Sequence, residues 1–340
     1  MKKIFVFSII SFSLLTSCRS QPQTLEAKDN TVNISKYAKE IMASDLKKAL
    51  YFYASDSLEG RRTGEPGQKK AAEYIKNRYI SLGIASPLAN GDYFQHIPES
   101  FFRSGIKASE NVVAFIKGSE KPEEVIIISA HLDHIGISSD GQINNGADDD
   151  GSGTVAVIEI AKAFKAAVND GHRPKRSILF LHFTGEELGL YGSKYYTTVD
   201  PVFPLSNTVA DLNIDMIGRV DPKHTNQRNY LYLIGVDKLS SELNTISEEV
   251  NNTYFNMEFD YTYNDENDPN RFYYRSDHYN FAKNNVPVVF YFNGTHADYH
   301  RPSDTPDKIQ YDLLETRAKL VFYTAWELAN RDKRIVVDKL

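Results

Sequence analysis

Between residues 111 and 331 the sequence alternates short apolar runs with longer stretches of helical periodicity. Residues 125–130 form a short apolar run, as expected of a strand that is buried on both faces of a parallel sheet. Further strands are predicted at residues 177–183, 209–216 and 286–292. The stretches 154–168 and 312–331 carry apolar residues at helical spacing, and a helix is also expected to begin at Glu187 and run to Tyr196. This alternation predicts an α/β fold, a three-layer sandwich with a mixed, mainly parallel central sheet.

The segment before residue 111 has a different pattern. Helical periodicity predicts one helix from Asp45 and another over residues 68–82, with the turn-rich sequence 58–67 between them. No change of composition marks a second domain, so we predict a single catalytic domain over residues 36–340.

The first residues have the features of an export signal. Lys2 and Lys3 precede an apolar stretch, residues 4–15, that is too short for a permanent membrane helix. Small residues then lead to Cys18, the only cysteine, which resembles the lipid-attachment site of bacterial lipoproteins. We therefore expect a signal peptide at 1–17, a lipid anchor on Cys18, a polar tether at 18–35 and a location in the cell envelope. The alternative is an ordinary secretory signal.

The composition excludes some classes of partner. The net charge is −6 and the isoelectric point is about 5.9, so no basic surface for nucleic acid is expected. With one cysteine, no disulfide bond can form within the chain.

Candidate metal ligands follow the predicted strands. In open α/β sheets, function collects beyond the carboxyl ends of the strands. The residues at these ends are His131, Asp133, Glu186, Glu187, Asp215 and His300, and three adjacent acids, Asp148, Asp149 and Asp150, precede a predicted helix. So many carboxylates at one edge would repel one another unless cations neutralised them.

Imidazole and carboxylate ligands without thiolate favour zinc, with cobalt or manganese as possible substitutes. Three ligand carboxylates against two zinc ions leave one positive charge for a bridging hydroxide to cancel. Two such ions lie about 3.5–4 Å apart in known sites, activate a water molecule and polarise a carbonyl group. A further carboxylate must accept the proton of that water. Glu186 and Glu187 supply one acid for the proton and one for the metal.

Five short motifs, taken together and in order, resemble one known family. They are His-x-Asp at 131–133, Asp-Asp-Gly-Ser-Gly at 149–153, Gly-Glu-Glu at 185–187, Asn-x-Asp-Met at 213–216, and Tyr-His-x-x-x-Asp-Thr-x-Asp at 299–307. In this order they resemble the co-catalytic zinc aminopeptidases of metallopeptidase clan MH, family twenty-eight. The sequence Leu-Glu-Gly-Arg-Arg-Thr-Gly at 58–64 also resembles that family.

The resemblance implies a role for each matching residue. His131 and Asp215 would complete one zinc site, Glu187 and His300 would complete the other, and Asp149 would bridge them. The peptide bond between Asp149 and Asp150 would be of the kind that this family holds in the cis form. Glu186 would be the general base, Asp133 would orient His131, and Tyr299 would steady the oxyanion. Asp148 is the rival for the bridge, although the spacing to Gly151 favours Asp149.

Other residues carry weaker expectations. Arg275, Asp277 or His278 could contact substrate, because they lie in a segment that resembles the family near its substrate pocket. His134 and His296 are expected to support the ligands, His182 to lie in the core, and His96, His172 and His224 to lie in surface loops. Residues 93–111 leave no room for the protease-associated domain that many secreted relatives carry.

These features predict an aminopeptidase that removes N-terminal residues from peptides. The same ligands would also serve a carboxypeptidase or an amidase. A glutaminyl cyclase is a second alternative, although those enzymes resemble a one-metal version of the site. A third is a binding module on a lipid anchor, which is disfavoured because Glu186 and every ligand are present.

Overall fold

The computed structural model describes residue 1 and residues 32–339. The predicted signal peptide, Cys18 and most of the predicted tether lie outside these residues. The first helix begins at Ile34, so the last two residues assigned to the tether belong to a helix. Among the described residues, no helix is both long and apolar enough to cross a membrane.

In the described part of the chain, eight strands form one sheet. They are β1 (Phe94–Ile97), β2 (Ser109–Ile116), β3 (Lys121–His131), β4 (Arg176–Phe183), β5 (Thr208–Ile214), β6 (Tyr230–Ile234), β7 (Glu258–Asp260) and β8 (Val288–Phe292). Their order is β1-β2-β4-β3-β5-β8-β6-β7. The four central strands, β4, β3, β5 and β8, are parallel, whereas β2 and β6 run antiparallel to them. The predicted α/β class with a mixed, mainly parallel sheet is confirmed.

Helices cover both faces of this sheet. They are α1 (Ile34–Ala38), α2 (Ala43–Tyr53), α3 (Pro66–Leu82), α4 (Gly153–Asn169), α5 (Tyr191–Thr198), α6 (Ser241–Tyr254), α7 (His278–Ala282) and α8 (Tyr311–Asn330). Helices α2, α3, α4 and α8 pack together on one face, whereas α5 and α7 pack on the other. The sheet is therefore the middle layer of three, which explains why its central strands are apolar on both faces.

Alternate residues of the central strands enter two cores. Ile127, Leu179 and Leu181 face the α5–α7 side, where they form a buried cluster with Phe281. On the other face, Phe180 contacts the ring of Phe164 from α4. Two cores hold the central strands rigidly, and so fix the positions of the residues at their carboxyl ends.

The structure corrects one predicted element. Helix α5 begins at Tyr191, so Glu187 lies in the turn between β4 and the helix and not in the helix. Gly189, with φ of +125°, lies inside this turn, where a helix could not continue. The sequence reading also missed the outer strands β1, β2, β6 and β7. Strands β1 and β2 are joined by residues 98–108 only.

Candidate metal centre

Five side chains meet at the carboxyl edge of the central strands. His131 is the last residue of β3, and Asp215 directly follows β5. Asp149 lies in the loop before α4, Glu187 lies after β4, and His300 lies after β8. Since these strands are neighbours and parallel, side chains that are distant in sequence converge on one point.

The carboxylate of Asp149 lies between the two histidines. Its Oδ1 is 3.2 Å from Nε2 of His131, and its Oδ2 is 3.0 Å from Nε2 of His300. Asp215 Oδ1 lies 3.6 Å from the same nitrogen of His131, and Glu187 Oε2 lies 3.1 Å from that of His300. The five residues therefore form two sets of three donors that share Asp149.

The loop that carries Asp149 is tightly constrained. Gly146 has φ of +55°, and a Cβ atom there would lie 2.3 Å from the carbonyl oxygen of Asp149, so only glycine fits. The peptide bond between Asp149 and Asp150 is cis. Oδ2 of Asp304 accepts hydrogen bonds from the backbone N–H groups of Asp148 and Asp149, at 3.0 and 3.2 Å. These contacts aim the Asp149 carboxylate at the histidines.

Asp148 does not face the centre. Its Oδ1 accepts a hydrogen bond from the backbone N–H of Gly218 at 2.7 Å, and its Oδ2 lies 3.1 Å from Nε2 of His296. Both oxygens are thus occupied elsewhere.

Asp150 is a nearer competitor, because it lies within ligand reach of His131 and Asp215. However, its Oδ1 accepts from the backbone N–H groups of Gly153 and Met216, and its Oδ2 accepts from that of His131. We interpret Asp150 as a structural link between β3, β5 and α4, since its oxygens are already used.

Glu186 and Glu187 have opposite environments although they are adjacent. Burial raises the pKa of Glu186 well above the usual range of a carboxyl group. Burial acts on Glu187 too, but hydrogen bonds with His134 and His300 lower its pKa; Oε1 of Glu187 lies 2.7 Å from Nδ1 of His134. Such a separation of pKa values is typical of sites where one acid carries charge and the other transfers protons.

His134 also lies within ligand reach of Asp149 and Glu187. Nδ1 of His134 lies 2.7 Å from Oε1 of Glu187 but 3.8 Å from Oδ2 of Asp149, whereas Nε2 of His300 lies 3.0 Å from Asp149 and 3.1 Å from Glu187. The paired contacts favour His300 as the donor and His134 as its support.

The donor atoms fit a metal ion. Nε2 of His131 and Oδ2 of Asp149 are buried and have no hydrogen-bond partner within the described part of the chain. Buried polar atoms are rarely left without a partner in native proteins. Burial disfavours a charged imidazole at His300, yet Asp149 and Glu187 raise its pKa to about 10. A cation would satisfy all of these atoms, and nitrogen and oxygen donors of this kind suit zinc.

Asp133 contacts His131 mainly through its backbone. Nδ1 of His131 lies 3.1 Å from the Asp133 carbonyl oxygen and 3.8 Å from its carboxylate. The carboxylate instead accepts hydrogen bonds from the Thr63 hydroxyl at 2.6 Å and from the backbone N–H of Glu186 at 3.2 Å. Burial raises the pKa of Asp133 to about 6.

A cleft opens beside the five donors. Tyr299 lies at its edge, and its hydroxyl accepts a hydrogen bond from Nη2 of Arg275 at 3.3 Å. Burial, together with the surrounding carboxylates, raises the pKa of Tyr299 above its usual value. The cleft has an apolar part, formed by Met216, Phe272, Phe290 and Phe292, and a polar part, formed by Arg275, Tyr299, Glu186 and members of the donor set.

Other sequence-based expectations have mixed outcomes. Of the three candidates for substrate contact, Arg275 lines the cleft, whereas Asp277 and His278 are fully buried. His182 lies in the core, as expected, but the expectation for His224 is wrong, because it is buried and stacks on the ring of Tyr230.

Sequence reasoning assigned no role to Asp304 or Thr63. Asp304 lies inside the quoted motif 299–307, and Thr63 lies inside 58–64. The motifs were therefore a usable signal, although the contacts of these two side chains could not be read from spacing.

The model of peptidase family M28 matches residues 111–325, well over half of the chain. The chain belongs to this family. Leupeptin-inactivating enzyme 1 of Streptomyces exfoliatus is 32% identical over 169 residues, which are 50% of this chain and 34% of that enzyme. Aminopeptidase YwaD of Bacillus subtilis is 31% identical over 113 residues, 33% of this chain and 22% of that protein. The matched part of the chain thus spans about a third or less of the length of these curated relatives.

A solved structure shares the fold. The LapA aminopeptidase of Legionella pneumophila superposes with a TM-score of 0.69 at 21% identity, covering 88% of this chain and 75% of that one. At this identity the likeness concerns the fold alone. It agrees with the single α/β domain described above.

Proposed function

We propose that this M28 family member is a di-zinc aminopeptidase that releases N-terminal residues from peptides. The observation that carries the proposal is the Asp149 carboxylate, which directs one oxygen toward His131 and the other toward His300. A carboxylate in this position is suited to bridge two metal ions. His131 and Asp215 would complete one site, and Glu187 and His300 the other. When bound, two zinc ions would lower the pKa of a water molecule and polarise the scissile carbonyl.

Glu186 is the proposed general base. Its side chain is 10% exposed and its Oε2 lies 3.9 Å from Nε2 of His131, at the edge of the donor set and facing the cleft. A general base must take a proton from water, hold it and return it to the leaving amine. Burial raises the pKa of Glu186, which makes its carboxylate a stronger proton acceptor. Glu186 would therefore carry the proton on its carboxylate between these two steps.

Tyr299 is the proposed oxyanion donor. Since its pKa is raised, its hydroxyl remains protonated over the working pH range. The hydroxyl oxygen accepts from Arg275, which leaves its own hydrogen free to donate to a carbonyl oxygen that gains negative charge. Arg275 thus aims Tyr299 and lies where substrate enters.

Peptides with free and acetylated N-termini test the proposal. Purified protein would be supplied with zinc, and both the metal content and the released amino acids would be measured on one sample. We expect about two zinc ions per chain and release from the N-terminus of free peptides only. Equal release from acetylated peptides would contradict an aminopeptidase. Release from the C-terminus would instead indicate a carboxypeptidase, and cyclisation of N-terminal glutamine with one bound zinc would indicate a glutaminyl cyclase.

We also propose that the chain is exported and anchored by lipid on Cys18. The support is the sequence alone: a basic start, a short apolar stretch and a small-residue run that ends in cysteine. Labelling cells with a fatty-acid analogue, in parallel with a Cys18→Ser variant, tests this. We expect the parent protein to carry the label and the Cys18→Ser variant to lack it. Export of a parent protein without label would indicate an ordinary secretory signal.

A further inference from the structure

The segment 60–63, between α2 and α3, has no part in the proposed chemistry. Its side chains Arg61 and Thr63 are nevertheless buried, with 1% and 3% of their surface exposed. Both contact segments that carry the proposed metal ligands.

Arg61 joins two of these segments through backbone carbonyl groups. It donates to the carbonyl oxygen of Leu132 at 3.2 Å, of Asn145 at 2.7 Å and of Gly146 at 2.8 Å. It also donates to the carbonyl of Tyr53, at 2.9 Å. Leu132 follows the ligand His131, and Gly146 opens the loop that carries Asp149. A planar guanidinium with several fixed donors therefore sets the spacing between the two ligand segments.

The Thr63 hydroxyl contacts one side chain, that of Asp133. It donates to Oδ2 of Asp133 at 2.6 Å, while Oδ1 of the same carboxylate accepts from the backbone N–H of Glu186 at 3.2 Å. With both oxygens held, the carboxylate has one orientation. In that orientation it fixes the backbone at the proposed base and lies 3.8 Å from Nδ1 of His131.

We propose that Thr63 and Arg61 are positioning residues for the metal centre, acting through Asp133 and through the ligand-bearing backbone. This inference rests on the proposed function. Thr63 is the sharper test, because one hydroxyl makes the contact and valine has nearly the same shape without it. Supporting residues around metal ligands typically change metal affinity by about 10- to 100-fold when removed.

The experiment compares Thr63→Val with Thr63→Ser, which restores the hydroxyl. The matched control is Thr324→Val, because Thr324 is also fully buried and donates to a backbone carbonyl, but lies on α8, which supplies none of the proposed ligands. Metal-free protein of each kind is titrated with zinc against a competing chelator, and with cobalt, whose absorption reports the ligand geometry. Thermal unfolding of the metal-free proteins is measured in parallel.

We expect Thr63→Val to bind at least one zinc ion about 10- to 100-fold more weakly and to alter the cobalt spectrum. Thr63→Ser should bind zinc with nearly the parent affinity, and Thr324→Val should keep the parent affinity whether or not its melting temperature changes. Should Thr63→Val not fold, Thr63→Ala replaces it in the same titration.

Parent zinc affinity in Thr63→Val, as in Thr324→Val, would overturn the positioning role and leave the proposed function intact. A parent chain that binds no zinc would overturn both. The same experiment therefore separates the two failures.

Discussion

Replacing Glu186 by glutamine separates proton transfer from metal binding. Glutamine keeps the size of the side chain and removes its basic oxygen. The Oε2 atom of Glu186 lies 3.9 Å from Nε2 of His131, farther than the Asp149 and Asp215 oxygens, which lie 3.2 and 3.6 Å from the same nitrogen. We therefore expect Glu186→Gln to keep both metal ions. The neighbouring substitution Glu187→Gln should weaken metal binding, since Glu187 lies 3.1 Å from His300 in the donor set.

The size of the effect follows from the role. A positioned general base contributes about 10²- to 10⁴-fold to the rate, which corresponds to about 3–5 kcal/mol of activation free energy. The substitution should change the free energy of unfolding less than it changes the activation free energy. The reason is that burial already disfavours the charged form of Glu186 and raises its pKa. The variant should consequently be folded, metal-loaded and almost inactive.

The assay measures kcat on a short peptide and zinc content on the same preparation, for the parent and both variants. Glu186→Gln should lower kcat with unchanged zinc, and Glu187→Gln should lower zinc and activity together. Near-parent kcat in Glu186→Gln would refute the base assignment. Equal zinc loss in both variants would refute the division of labour between these two acids.

Three further predictions follow from other contacts. Tyr299→Phe should lower kcat about 10²- to 10³-fold with little change in zinc affinity; an unchanged kcat would exclude Tyr299 as oxyanion donor. Chelation of zinc should lower the midpoint of thermal unfolding, because a ligand present at 100 times its Kd stabilises the folded chain by about 2.7 kcal/mol; identical melting with and without chelator would contradict a bound metal. Asp211→Asn should flatten the pH dependence of stability. Burial raises the pKa of Asp211 to about 8, so between its unfolded pKa of about 3.9 and that value the folded chain holds a proton that the unfolded chain has lost. The free energy of unfolding therefore falls as the pH rises toward 8, by at most about 1.4 kcal/mol per pH unit for one group. Melting curves of the metal-free proteins between about pH 5 and pH 8.5 check this, and parallel curves for parent and variant would show that Asp211 does not titrate in that range.

The central strands could be read from the sequence because they are buried on both faces, and the main helices because they carry apolar residues at helical spacing. All residues of 125–130 and 177–183 except Ser129, Ser177 and His182 are apolar, which marks these segments as inner strands. Strands β1, β6 and β7 were missed because they have only four, five and three residues. Strand β2 has eight residues and lies between β1 and β4, but it begins with the polar residues Ser109, Glu110 and Asn111. Strand β7, for example, has three residues and none of them is buried. Its pairing with β6 depends on tertiary contacts, not on a pattern within the strand.

The start of α5 shows a similar limit. Residues 187–196 contain helix-compatible residues, but Leu190 adopts a left-handed conformation with φ of +58°. This turn lets the chain leave β4 with Glu186 and Glu187 directed to the centre. The helix propensity of residues 187–190 is therefore not realised, because the strained turn that places the two acids is held by the surrounding structure.

The sequence by itself determined which kinds of donor are present and at which strand ends they occur, because parallel strands bring their carboxyl ends to one edge whatever the details of packing. Spacing favoured Asp149 over Asp148, but only the tertiary structure showed where the oxygens of the three acids point, since these acids are equivalent in type and adjacent in the chain. Backbone N–H groups occupy both oxygens of Asp150. The oxygens of Asp148 contact the backbone N–H of Gly218 and the ring of His296, whereas the Asp149 carboxylate faces two histidines. Hydrogen bonds between residues far apart in sequence decided this, and spacing alone does not encode them.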